Sequence, residues 1–188
     1  MKKVFLSASV PAPDRDPKYF GTADVVAIRD SIKALVTILV SEGKLVFGGH
    51  PAISPLVWLL ARNLGKHAQE HIVIFMSEYF RDRFPPASME FDAVRFTPIV
   101  QNDRSKSLAL MRRRMVESED FDAAFFVGGM EGVEEEFALF RELHVNKPVY
   151  PVASTGAAAR ILFEAHCREM PKLRDDLAYP SLFRSLLE

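Results

Sequence analysis

Three apolar runs in this sequence end in residues small enough to let a ligand approach the backbone. Ser7-Ala8-Ser9 closes the run 3–9, Gly48-Gly49-His50-Pro51 follows the run 44–47, and Gly128-Gly129-Met130-Glu131-Gly132 follows the run 123–127. Glycine lets backbone N–H groups reach a phosphate, and a helix starting just beyond adds a dipole of favourable sign. Such turns are ligand sites when they lie at the carboxyl ends of parallel strands. No GxGxxG follows the first run and no GxxxxGK[ST] occurs. The generic dinucleotide and P-loop motifs are therefore missing.

Charged residues make a second constellation. In Leu108-Ala109-Leu110-Met111-Arg112-Arg113-Arg114-Met115, a helix aligns Leu108, Met111 and Met115 in one apolar stripe. Arg112 falls on or beside that stripe, Arg114 points elsewhere and Arg113 lies between. An inward guanidinium needs an anionic partner, either a carboxylate of the protein or a ligand phosphate. Glu131, Glu134, Glu135 and Glu136 crowd the start of the next helix, where the dipole favours acids. Val133, Phe137, Phe140 and Leu143 form its inward stripe, which brings Glu134 and Glu136 nearer the sheet than a solvated acid. Spacing does not choose between those two. His50 sits where a side chain can contact a base or phosphate, or can serve helix entry with Ser54-Pro55. The other histidines, 67, 71, 144 and 166, show no metal-ligand spacing, so neither a metal nor a cofactor is expected. Ser7 and Ser9 lack a GxSxG context, and Cys167 reads as a packed core residue.

The elements that must hold these residues follow from periodicity. Strands are expected at 3–9, 44–47, 72–76, 94–100, 123–127 and 148–152. Helices are expected from Thr22 or Asp24 to 41, from a Ser54 cap with Pro55, and at 105–117, 131–144 and 156–169, with a short one at 181–187. Residues 10–22 and 77–93 read as the longest irregular stretches. Asp14-Arg15-Asp16 is a solvated loop or a lid, and 77–93 a connection, lid or interface loop. Lys172 to Asp176 reads as a surface connector. Alternation of strand and helix, with strands apolar on both sides, predicts one α/β Rossmann-like three-layer domain over 1–188 with a mainly parallel sheet.

Composition bounds the partners. Of 188 residues, 24 are basic and 25 acidic, a net charge of −1, so no broad face recruits nucleic acid or an anionic membrane. Any anion site must be local. A single cysteine fits a reducing compartment. The N-terminal apolar run is too short for a signal-peptide core, and no run reaches a membrane span. The expected location is cytoplasmic.

Arg112-Arg113, then Phe121 to Val127, then Gly128-Gly129-Met130-Glu131-Gly132-Val133-Glu134-Glu135-Glu136, resemble the RK…PGGxGTxxE signature of the Lonely Guy (LOG) family. With the Gly48-Gly49 turn and the first strand, the resemblance extends to the wider SLOG superfamily, named for the SMF/DprA and LOG proteins. It runs to about Val152. It implies a Rossmann-like domain that binds a nucleotide or a nucleotide-derived small molecule, and a homodimer with residues 56–64 as a possible interface. LOG enzymes are phosphoribohydrolases, which cleave the N-glycosidic bond of a nucleoside 5′-monophosphate. Carried over, Arg112 (or Arg113, one residue on) and Glu136 are the catalytic pair, and Gly128, Gly129 and Gly132 cradle phosphate. Ser7, Ala8, Ser9, Gly48, Gly49, His50, Arg113, Met130, Glu131 and Val133 complete the ligand set. The sequence departs from the signature at Val127 for proline, at Val133 for threonine, and at Met130-Glu131, which put two residues where the family has one. Other SLOG domains are sensors of nucleotide-derived signals, including cyclic ADP-ribose-like molecules, and a divergent loop suits them, with an effector protein as partner. Sensor and hydrolase both remain open from the sequence.

Overall fold

A computed structural model describes residues 1–14 and 16–188. Six strands form one sheet: β1 (Lys2–Ser9), β2 (Gly43–Gly48), β3 (Ile72–Ser77), β4 (Ala93–Thr97), β5 (Ala123–Gly128) and β6 (Val149–Val152). Every pairing is parallel, in the order β4-β3-β2-β1-β5-β6. The chain lays strands outward from β1 to β4 and then crosses back, so that β5 lies on the other side of β1. The direction of winding reverses there, and the crevice beyond the carboxyl ends of β1 and β5 is where ligands of such sheets bind.

Period-two alternation along the strands supplies two cores. Val4, Leu6, Leu45, Phe47, Ile72, Ile74, Phe125 and Val127 face one side, against α2 (Val25–Glu42), α3 (Ser54–Leu64) and α9 (Tyr179–Leu187). Phe5, Val46, Val73, Phe75, Ala124 and Phe126 face the other, against α5 (Arg104–Val116) and α6 (Glu131–Leu143). The helix α7 (Ala157–His166) serves both, with Phe163 in the first core and Leu162 in the second. The layers are thus helix, sheet and helix, and Cys167 is buried in the first core.

Several expectations need correction. Residues 10–22 contain the short helix α1 (Pro17–Phe20), capped by Asp16, whose carboxylate accepts from the Lys18 N–H at 2.9 Å. Arg15 lies outside the described residues, so the lid reading of Asp14-Arg15-Asp16 falls partly there. Residues 77–93 hold two 3₁₀ segments, Glu78–Arg83 and Pro86–Met89. The short helices α4 (Lys66–Glu70) and α8 (Lys172–Asp175) also escaped periodicity, because one turn of helix is too short to show a stripe. β4 stops at Thr97 because Pro98 has no N–H to continue a ladder. Ser54 does not cap α3 by its hydroxyl: its Oγ accepts from the His50 N–H at 3.0 Å. Asp24 caps α2 by accepting from the Ala27 N–H. Among the described residues no helix is long and apolar enough to cross a membrane.

Candidate functional site

A cavity of about 240 Å³ opens beyond the carboxyl ends of β1 and β2, between α5 and the start of α6. It has two walls. α6 packs against β1 and β5, and α5 against β2, β3 and β4.

The α6 wall is organised around Glu136. Its carboxylate accepts from the Ser7 hydroxyl at 2.6 Å, and Arg112 Nε reaches its other oxygen at 3.4 Å. A second guanidinium nitrogen of Arg112 pairs with Glu135. Arg112 and Glu136 are 16% and 13% exposed, whereas Glu135 is 60% exposed. The inward arginine therefore has the carboxylate partners that burial demands. Burial pushes the Glu136 carboxyl above the usual glutamate range, against the pull of Arg112 and Ser7. Gly132 leaves room for the guanidinium, since a Cβ there would lie 2.7 Å from Arg112 Nη2 and would push it aside.

The helix register separates the glutamates that spacing left undecided. Two residues along a helix are about 200° apart, so Glu134 leaves the cavity and accepts from the buried Tyr19 hydroxyl of α1 at 2.7 Å. Glu136 faces in. Arg113 also turns away: it is half exposed and pairs with Glu117 on its own helix at 2.8 Å. The one-residue ambiguity between Arg112 and Arg113 thus resolves in favour of Arg112 as the cavity residue.

Gly128 and Gly129 do not line the cavity, contrary to expectation. Both are buried with φ of +57° and +92°, a conformation suited to glycine. The Gly128 N–H donates to Thr155 Oγ1 at 2.8 Å and the Gly129 N–H to the Ser9 carbonyl at 2.8 Å. Neither N–H is offered to a phosphate. Met130, Glu131, Gly132 and Val133 do line it, at the start of α6.

The other wall carries Gly48, Gly49 and His50. Burial pushes His50 down to about 4, so the ring is neutral at pH 7. Its Nδ1 accepts from the Ala52 N–H at 3.2 Å, which leaves the ring proton on Nε2. Ser7, Ala8 and Ser9 line the floor with Leu6. Three residues of α5 beside Arg112 complete the wall: Arg104, Leu108 and Met111. Arg104 escaped the sequence reading. The signal was present, since 104, 108, 111 and 112 share one face of a helix. Thr155, which accepts from the Gly128 N–H, had no signal, because its role depends on a contact 27 residues away. Among the described residues no group of three His, Cys, Asp or Glu is placed to hold a metal ion.

Comparison with known proteins bears on this geometry. A model of the SLOG cluster3 family matches residues 18–187. An X-ray structure of TM1055, Northeast Structural Genomics Consortium target VT76, superposes with a TM-score of 0.57 at 18% identity, covering 87% of this chain and 81% of that one. At that identity the likeness is one of fold. No curated protein matches the sequence significantly.

Proposed function

Because the chain belongs to the SLOG cluster3 family, we propose that it binds a nucleotide or nucleotide-derived small molecule, of nucleoside phosphate or ADP-ribose type, in the cavity at the carboxyl edge of the sheet, and acts as a sensor. One observation carries this reading. The ends of β1 and β2 and the facing sides of α5 and α6 converge on a single concave space, with apolar Leu108 and Met111 beside Ser7, Glu136, Arg104 and Arg112. Apolar walls with a few convergent polar groups are what a small-molecule site requires. Binding without turnover is favoured because the Gly128 and Gly129 N–H groups, which the LOG resemblance gives to the phosphate, are bonded within the fold. The partners in this reading are the ligand, a second copy of the chain and an effector protein.

The position of Glu136 supports a second reading, a LOG-like phosphoribohydrolase. Its carboxyl is held between Ser7 and Arg112 and is raised in pKa by burial. Such a group can stabilise a ribosyl oxocarbenium ion or take a proton from the attacking water as the base departs. Arg112 would then position the ligand.

A thermal-shift screen against nucleoside monophosphates, ADP-ribose, NAD and cyclic ADP-ribose isomers separates these readings. A ligand at about 100 times its Kd is expected to stabilise the fold by roughly 2.7 kcal/mol. The sensor predicts stabilisation with the ligand recovered intact. Release of free base, abolished in Glu136→Gln and Arg112→Ala, establishes the hydrolase instead. No stabilisation by any of these compounds rejects both.

A further inference from the structure

Charge balance inside the cavity shows where a ligand's anionic end can go. On the α6 wall the one cation is already taken by carboxylates. Arg112 faces Glu135 and Glu136, and Glu136 also accepts from Ser7. The Gly128 and Gly129 N–H groups are engaged by Thr155 and Ser9. A phosphate placed there would meet carboxylates and no released donor from the glycine pair. Repulsion and desolvation would both oppose it.

The α5 wall differs. Arg104 lines the same cavity, is exposed, and has no carboxylate within ion-pair distance among the described residues. Its guanidinium carbon lies 5.8 Å from the centroid of the Phe80 ring, a weak contact at an exposed position. A phosphate can replace that contact with charge-assisted, bidentate hydrogen bonds. His50 lies in the same wall with its proton on Nε2, and none of the residues that line the cavity beside it and Arg104 (Gly48, Gly49, Leu108 and Met111) is a carboxylate.

Resting on the proposed function, we infer that the anionic end of the ligand docks on Arg104, at the α5 wall, and not on the glycine turn that follows β5. The ligand then lies across the cavity with its sugar towards the α6 wall. Glu136, an acceptor, suits ribose hydroxyls there. Arg104 is thus a specificity-determining residue: it selects phosphorylated ligands over their nucleosides. The 3₁₀ segment Glu78–Arg83 places Phe80 beside Arg104 in that weak contact.

The test is calorimetric titration of wild type, Arg104→Gln and Arg114→Gln with AMP, ADP-ribose and adenosine at fixed salt. Arg114 is an exposed arginine on the same helix that does not line the cavity, so its variant controls for net charge. Arg104→Gln is expected to weaken the two phosphorylated ligands by about 10- to 100-fold, the worth of a charge-assisted contact. Adenosine should change by less than about 3-fold, and Arg114→Gln should match wild type. An Arg104→Gln protein that keeps its preference for AMP over adenosine overturns the inference alone, as does an equal loss for all three ligands. A wild type that binds neither AMP nor ADP-ribose removes the functional reading and the inference together.

Discussion

Two glycine pairs follow two parallel strands in this protein, and they do different work. Gly48 and Gly49 are partly or fully exposed and line the cavity. Gly128 and Gly129 are buried, have positive φ and face away from it. A Cβ on Gly48 would meet the Met115 sulfur at 3.5 Å, an ordinary contact. A Cβ on Gly128 would lie 2.5 Å from Ile28 Cδ1 and 2.8 Å from the Ser9 carbonyl oxygen. The second pair is glycine because the chain must turn left-handed through a packed space. The first pair lines the cavity and the second does not, although Gly49 also serves the fold: its N–H donates to the Phe75 carbonyl at 2.8 Å and a Cβ there would lie 2.8 Å from Met76 Cγ. Both turns follow interior strands, and what separates them is what covers them: α2 and α7 close over the end of β5 through Ile28 and the Ala158 N–H that donates to the Gly129 carbonyl.

That contrast can be broken most directly at the glycines. Gly128→Ala is expected to destabilise by about 3 kcal/mol in urea unfolding, from the left-handed conformation plus overpacking. Gly48→Ala should cost less than about 1 kcal/mol while narrowing the cavity, so its effect should appear in ligand affinity instead. Equal losses of stability would mean the two turns are not different in kind. The joint depends next on its acceptor. Thr155→Val removes the partner of the buried Gly128 N–H and is expected to cost about 1–3 kcal/mol, with Thr155→Ser restoring most of it.

The cavity side is sharpened by Glu136. Burial raises its folded-state pKa above the unfolded value. Its contribution to stability is therefore full below the ordinary glutamate range and is lost as pH rises through the folded pKa. Glu136→Gln does not titrate, so it should gain stability relative to wild type between acid and neutral pH. A wild type that instead gains on the variant as pH rises would show that Arg112 and Ser7 outweigh burial. The smallest effect is expected at Arg113→Gln. This exposed i,i+4 pair with Glu117 should be worth less than about 0.5 kcal/mol, and its loss should leave ligand affinity unchanged.

Much of this arrangement was legible in the residues. Apolar runs of four to eight residues alternating with helical stripes specify a parallel sheet covered on both faces, because each strand must bury both of its sides. The stripe of α5 turned Arg112 inward, and a buried guanidinium demands carboxylates, which Glu135 and Glu136 supply. Spacing along one helix thus demanded an anionic partner, a carboxylate or a ligand phosphate, and the tertiary structure supplies carboxylates from the facing helix. Other features had no local signature. Glu134 and Glu136 could not be told apart until α1 supplied Tyr19 to one and β1 supplied Ser7 to the other. Gly128-Gly129 has the composition of a phosphate turn, but Thr155 and Ser9 take its N–H groups. The sequence by itself determined the layers and the inward turn of Arg112, since strands apolar on both sides must be covered on both faces and the helical stripe fixes which residues of α5 face in. Only the tertiary structure decided which donors remain available to a ligand, because a hydrogen bond to a residue distant in sequence leaves no trace in the spacing of either partner.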